Sequence, residues 1–327
     1  NADARGAVVP QQMSDRRDHI VAPREVAPHI AGHEGGVDEA RHRIARWPVE
    51  PGRPHDVHGR VGMVCHRRDA LLGVVQRLHA RVVRCDRTLL GHFAAAAWAL
   101  YWLGGLPPLA VFGGLLQLSW IGHVLAAFYL VWLLNLYNFM DGIDGIASVE
   151  AICVCLGGAI LYALLETTLL TDLPLLMLAA AVLGFLIWNF PPARIFMGDA
   201  GSGFLGIVLG VLSLQAAWIS PVLLWGWLIL LGVFIVDATL TLLRRLLRGE
   251  KVYEAHRSHA YQYASRQFGR HLPVTLAVLA INLFWLLPVA VVVTLGWLDG
   301  LFGVLLAYAP LVLLALRFHA GQAENRA

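Results

Sequence analysis

From Leu89 onward, apolar runs of bilayer-crossing length follow one another with only short polar interruptions. Few folds suit such a chain. In hydrocarbon every backbone N–H and C=O must find its partner within the protein, so runs of this kind form helices. Spans are expected near 89–104, 119–136, 151–169, 173–190, 203–219, 221–243, 273–297 and 300–317. Each is close to the ~17–25 residues that cover about 30 Å of hydrocarbon. The expected fold class is all-α, a polytopic transmembrane helix bundle of about eight spans. Gly113-Gly114 falls in an apolar stretch that reads as a re-entrant piece or a longer loop.

The charges divide the chain in two. Only 14% of the 327 residues are charged, and residues 1–87 hold 15 of the 25 Lys+Arg, 11 of the 22 Asp+Glu and 8 of the 14 His. The expected organisation is an atypical Arg/His/Pro-rich segment over 1–87 and a transmembrane domain over 88–320. The segment contains no Lys and no sustained amphipathic period, and no secretory signal is visible in its first residues, so insertion is assigned to the internal spans. Between the sixth and seventh spans lie Arg244, Arg245, Arg248, Lys251, Arg257, Arg266 and Arg270. The alternate-side loops carry Glu166, Asp172 and Asp299 without Lys or Arg. The positive-inside rule puts the Arg-rich loop, and with it the C-terminus, in the cytoplasm. These cations mark sidedness, and no nucleic-acid partner is expected. Cys65, Cys85, Cys153 and Cys155 show neither disulfide nor metal-ligand spacing.

Counting spans brings three polar loops to one face. The first reads Asn135-Leu-Tyr-Asn138-Phe-Met-Asp141-Gly142-Ile-Asp144-Gly145. Asp141 and Asp144, three apart, would share one face of a helical turn, and paired carboxylates at the end of an apolar helix call for a cation or donors. The second runs Asn189-Phe190-Pro191-Pro192-Ala193-Arg194-Ile195-Phe196-Met197-Gly198-Asp199 and on through Ser202. Asp199 is expected just before a helix start with Ser202 as N-cap, where backbone N–H groups can hold phosphate and a carboxylate can hold Mg²⁺. The third contains Glu254, His256, Arg257, His259, Tyr261 and Gln262, a His/Arg cluster suited to phosphate. Asp237 sits inside the sixth span, where an acid is either functional or an ion-pair and packing element.

In this order and on one face, NxxNFMDGIDG, NFPPARIFMGDAGSGFLG and AHRSHAYQ resemble the bacterial polyprenyl-phosphate N-acetylhexosamine-1-phosphate transferases. That superfamily, glycosyltransferase family 4, includes the phospho-MurNAc-pentapeptide translocase and the enzymes that begin O-antigen. The HRSHAYQ form is more similar to the O-antigen initiators. The resemblance covers roughly 88–320. It implies transfer of N-acetylhexosamine-1-phosphate from a UDP-N-acetylhexosamine to undecaprenyl phosphate with release of UMP, at the cytoplasmic face of the bacterial inner membrane. It further implies Mg²⁺, with Mn²⁺ as an alternative, held by Asp199. Asp141, Asp144, His256 and His259 would be catalytic. Asn138, Asn189, Arg194, Phe196, Arg257 and Asp237 complete the candidate substrate-binding set. The lipid bilayer is the third expected partner, and a homodimer is a compatible assembly.

The chain departs from that family before residue 88. The family has about eleven spans of bilayer length and adjacent aspartates after its third, whereas 1–87 offers neither. A reading-frame error upstream of a genuine C-terminal part is the expectation, with an Arg-rich extension binding anionic lipid as its rival. A polytopic transporter and a catalytically impaired membrane protein are the alternative functions.

Overall fold

The computed structural model describes residues 88–250 and 257–322. The expectations for residues 1–87, and for Glu254 and His256 in the third loop, lie outside the described residues. Ten helices are described: α1 (Thr88–Leu103), α2 (Ser119–Met140), α3 (Ile146–Leu164), α4 (Leu169–Asn189), α5 (Gly198–Ile219), α6 (Pro221–Leu230), α7 (Gly232–Leu247), α8 (Ala260–Phe268), α9 (Leu272–Thr294) and α10 (Gly300–Arg317). All eight expected spans appear as helices. Six are long and apolar enough to cross a membrane, α1 is a shorter apolar helix, and the chain is a multi-pass membrane protein.

Two expectations need correction. The span near 221–243 is not continuous: α6 and α7 meet at Leu231 with a bend of 70°. The Gly113-Gly114 stretch is neither re-entrant helix nor long loop. It is the turn of an antiparallel hairpin, β1 (Leu109–Val111) with β2 (Gly114–Leu116), in which Val111 pairs with Gly114. The hairpin docks by polar contacts: the Trp225 indole donates to Ala110 O at 2.6 Å, and Phe112 N donates to an Asp299 carboxylate oxygen at 2.8 Å. It therefore sits at the end of the bundle opposite the three motif loops.

Lipid tails are as apolar as leucine, so helices in a bilayer associate through close packing rather than through a hydrophobic drive. Small residues set that packing. A Cβ on Gly206 of α5 would run into the Leu133 carbonyl oxygen of α2, so glycine there lets the two backbones meet. Nearby, Tyr129 and Ser213 share a 2.8 Å hydrogen bond across the same helix pair. Deeper in the bundle Glu150 is wholly buried and accepts from Asn282 Nδ2 at 2.7 Å. Asn282 opens a π-helical turn, Asn282–Leu286, inside α9. A carboxyl buried among helices keeps such a partner because hydrocarbon offers none. The sequence reading did not single out this pair.

Candidate active site at the helix ends

Three junctions on one end of the bundle build a single pocket of about 280 Å³. The α2–α3 junction supplies Asp141, Gly142 and Asp144, the α4–α5 loop supplies Phe196, the first turn of α5 supplies Asp199, and the start of α9 supplies His271. The loop convergence expected from the span count is thus present in the structure.

The junctions are stapled to one another by hydrogen bonds. Asn189, buried at the end of α4, accepts from Gly145 N at 3.0 Å and donates to Ile195 O at 2.9 Å. Asp144 ties all three elements. One carboxylate oxygen accepts from Ala193 N at 3.1 Å, the other lies 3.1 Å from His271 Nδ1, and its carbonyl accepts from Thr275 Oγ1 at 2.8 Å. From α8, the Tyr261 hydroxyl donates to Phe139 O at 2.9 Å, and burial pushes that hydroxyl well above its ordinary range, which keeps its proton in place. A Cβ on Gly142 would collide with the same hydroxyl oxygen. Glycine at 142 is therefore what allows α8 to press against the Asp141 junction.

The three aspartates differ in what their environment leaves them. The Asp144 carboxylate is committed to the loop staples. Among the described residues, neither Asp141 nor Asp199 accepts a side-chain hydrogen bond or ion pair. Burial, and then the neighbouring Asp199 charge, push the Asp141 carboxyl up to about 7. The described lining holds no Lys or Arg. Among the described residues, two carboxylates from separate helix junctions therefore share the pocket without a Lys or Arg, an arrangement that favours a bound cation.

Local geometry corrects three expectations. Asp141 and Asp144 do not share a helical turn, because α2 ends at Met140, Asp141 is its C-cap, and residues 141–145 form an irregular junction. Helix α5 begins at Gly198, so Asp199 lies in its first turn rather than before it. Ser202 is accordingly not an N-cap. It is buried one turn inside, where its hydroxyl donates to Asn138 Oδ1 at 3.3 Å and to Gly198 O at 3.2 Å.

The candidate residues divide by location. Asn138, Asp141, Asp144, Asn189, Phe196 and Asp199 line the pocket, with the Phe196 ring largely exposed. Arg194 is exposed over the Trp188 ring, 5.7 Å from its centroid, and is not among the lining residues. Arg257 is exposed, and its carbonyl accepts from Arg266 at 3.2 Å. His259 and Asp237 are buried at 1% and 5% exposure, outside the pocket lining. Asp237 accepts from Ala260 N at 2.9 Å, Tyr261 N at 3.0 Å and Thr241 Oγ1 at 3.1 Å, and His259 Nδ1 lies 3.4 Å away. Its carboxylate thus takes up the first N–H groups of α8, the groups a helix start leaves unsatisfied. These bonds tie Asp237 to the third-motif segment. His271 was missed by sequence reasoning. It lies twelve residues beyond His259, outside every motif, and only the docking of α9 brings it to Asp144.

These features define a multi-pass membrane protein whose chemistry-bearing loops form one acidic pocket at the helix ends. Residues 77–217 match the family described as Glycosyl transferase family 4. The matched stretch contains the first two motifs, ends before the third, and starts upstream of residue 88. A probable undecaprenyl-phosphate N-acetylglucosaminyl 1-phosphate transferase of Bacillus subtilis (strain 168) is 35% identical over 155 residues, 44% of this chain and 41% of that protein. Phospho-N-acetylmuramoyl-pentapeptide-transferases of Moorella thermoacetica and Streptococcus pneumoniae (strain Hungary19A-6) are 37% identical over 157 residues and 28% over 202. Those alignments take in 47% and 60% of this chain, and 49% and 59% of the relatives. The chain thus spans about half the length of the curated relatives it matches. The resemblance carried by the motifs is borne out: the stretch 77–217, with the first two motifs, is similar to glycosyl transferase family 4.

Proposed function

We propose that the chain transfers an N-acetylhexosamine-1-phosphate group from a UDP-sugar to undecaprenyl phosphate, at the cytoplasmic face of the bacterial inner membrane. A phosphate oxygen of the lipid attacks the β-phosphorus of the UDP-sugar. The bond from that phosphorus to the bridging oxygen breaks, UMP leaves with the electron pair, and undecaprenyl-diphospho-sugar is formed. The observation that carries this reading is the Asp141–Asp199 pair, two carboxylates from separate helix junctions with no cation among the described lining residues.

The donor set fits Mg²⁺. Among the described residues no group of three or more His, Cys, Asp and Glu forms a closed cage. A closed cage is not required, because Mg²⁺ at phosphate sites takes one or two carboxylates and completes its shell with water and phosphate oxygens. Asp141 and Asp199 would hold the ion, and its charge would offset that of the diphosphate. Asp144 and Asn189 keep the two acidic loops in register, and the exposed Phe196 ring offers the uracil a stacking face. Arg257 and His256 belong to the segment that would meet the lipid phosphate or the sugar. Tyr261 and Gly142 fix how closely that segment approaches Asp141.

Transfer requires the reacting atoms to be held in line and shielded from water. A pocket at helix ends on the membrane surface gives a prenyl phosphate access from lipid and a nucleotide access from the cytoplasm. The Bacillus subtilis relative, a probable undecaprenyl-phosphate N-acetylglucosaminyl 1-phosphate transferase, supports an N-acetylhexosamine-1-phosphate donor, and the HRSHAYQ form favours O-antigen or a related polymer as the product's use. The test is UMP release by the reconstituted full chain supplied with undecaprenyl phosphate, UDP-N-acetylhexosamine and Mg²⁺. Cation-dependent release that Asp199→Asn abolishes is expected. Absence of release from the unmodified chain, or undiminished turnover in the variant, contradicts the reading.

A further inference from the structure

We infer that Glu150, joined to Asn282, is a positioning residue for the acidic pocket: it ties α7 and α9 to the start of α3, and through them the third motif and the Asp144 staples. Its kinetic consequences rest on the transfer reading above.

A carboxyl among membrane helices is costly and is kept where it has partners. Glu150 stands on α3 just over one turn past Ile146, is wholly buried, and belongs to none of the three motifs. It meets two other helices, each at a point where that helix departs from regularity. On α9 it accepts from Asn282 Nδ2 at 2.7 Å, and Asn282 is the first residue of the π-helical turn. On α7 the donor is the Phe234 backbone N–H. Phe234 is the third residue after the 70° break at Leu231, within the turn whose N–H groups a helix start leaves without a helical acceptor.

Each helix carries that contact to the pocket. Thr275, Val278 and Asn282 are all buried, and their spacing of three and then four puts them on one stripe of α9. The stripe is bonded at both ends: Thr275 Oγ1 donates to Asp144 O at 2.8 Å, and two turns further on Asn282 reaches Glu150. With both points fastened, the first half of α9 cannot turn about its axis without breaking one of them, and His271 is kept beside Asp144. On α7, Asp237 follows Phe234 by three residues and accepts from Ala260 N and Tyr261 N of α8. The Tyr261 hydroxyl in turn reaches Phe139 O, close to Asp141. One buried carboxyl is therefore common to both elements that close on the acidic junction. A displacement there matters to transfer, since about 1 Å of misplacement at a reacting centre can cost on the order of 100-fold in rate.

The test compares Glu150→Ala, Glu150→Gln and Asn282→Ala with Tyr129→Phe in the reconstituted full chain. Tyr129→Phe deletes another buried interhelical bond, that to Ser213 in the α2–α5 pair, and is the purely structural control. UMP release is measured per folded molecule, well below the melting temperature of every variant. Glu150→Ala is expected to lower kcat at least ~10-fold, and Asn282→Ala about threefold to tenfold. Glu150→Gln should lose less than about threefold, because its amide oxygen still accepts from one donor. Tyr129→Phe should lower the melting temperature and leave kcat unchanged. Hydrogen exchange gives a second readout that needs no turnover. In Glu150→Ala the amides of α8 and of residues 272–281 should exchange at least ~10-fold faster than in Tyr129→Phe. Equal kcat in Glu150→Ala and Tyr129→Phe, or equal exchange over those segments, overturns the inference in favour of a carboxyl that only stabilises the bundle. Should Glu150→Ala fail to fold, Asn282→Ala takes its place in both comparisons. If the unmodified chain releases no UMP, the transfer reading fails, and exchange alone decides whether Glu150 positions the two elements.

Discussion

Removing the Asp237 carboxylate should release α8 from the bundle. At 5% exposure the carboxylate accepts from the first backbone N–H groups of α8, Ala260 and Tyr261, and from Thr241. Asp237→Ala leaves those donors buried without an acceptor, and each unsatisfied buried donor costs about 1–3 kcal/mol. Taking the two backbone groups near the lower half of that range gives a local loss of about 3 kcal/mol. At ~1.4 kcal/mol per factor of ten, the Ala260 and Tyr261 amides should exchange hydrogen about 100-fold faster in detergent. Asp237→Asn keeps one acceptor oxygen and should lose about half as much. The assay is hydrogen exchange resolved over residues 257–268, compared with peptides from α3 as an internal control. Exchange in Asp237→Ala that matches the unmodified chain would refute the claim that this carboxylate anchors the third motif.

Gly142→Ala should lower transfer activity at least tenfold, because its Cβ meets the Tyr261 hydroxyl and forces the Asp141 junction to move. Tyr261→Phe removes the obstructing oxygen, so the double variant should recover much of that loss while giving up about 1 kcal/mol from the bond to Phe139 O; thermal unfolding and UMP release check both. Asp141 titrates near 7 rather than 3.8 in the folded chain, so without divalent cation it favours the fold fully below 3.8, and that contribution is lost as pH rises through about 7. Melting temperature at fixed ionic strength should therefore fall over that window, and added Mg²⁺ should reverse the fall. Because Asp199 supplies part of the shift, Asp199→Asn should move the Asp141 titration to lower pH, read by carboxyl infrared difference bands.

The sequence carried most of the architecture because lipid constrains it so strongly. A span must be long and apolar wherever it lies, and seven of the eight expected spans are continuous helices, the eighth being broken in two. The break at Leu231 left no comparable mark, since Gly232 reads as one small residue in an apolar run. What that glycine does is tertiary: a Cβ there would lie 3.1 Å from Tyr308 and 3.2 Å from Leu311 of α10, so the small residue lets α10 approach. Helix ends were legible only to within a few residues, which is why Asp199 and Ser202 were placed outside a helix that contains them. The acidic pocket was legible because Asp141, Asp144 and Asp199 stand in polar loops between apolar runs. Roles inside it were not. Asp237 and His259 stand out as polar residues in the sequence, but nothing there shows that the first accepts from the start of α8 or that the second packs between Phe139 and Tyr261. His271 gave no signal, as its partner lies 127 residues away.

The central claim is that Asp141 and Asp199 create one site for a divalent cation and a nucleotide diphosphate together. Its most direct test is the affinity of the full chain for UDP, measured by calorimetry with and without Mg²⁺, in the unmodified protein and in Asp199→Asn. The account predicts that Mg²⁺ tightens UDP binding, that UDP tightens Mg²⁺ binding by the same factor, and that the substitution removes the coupling. UDP binding that ignores Mg²⁺, or coupling that survives in Asp199→Asn, would contradict it.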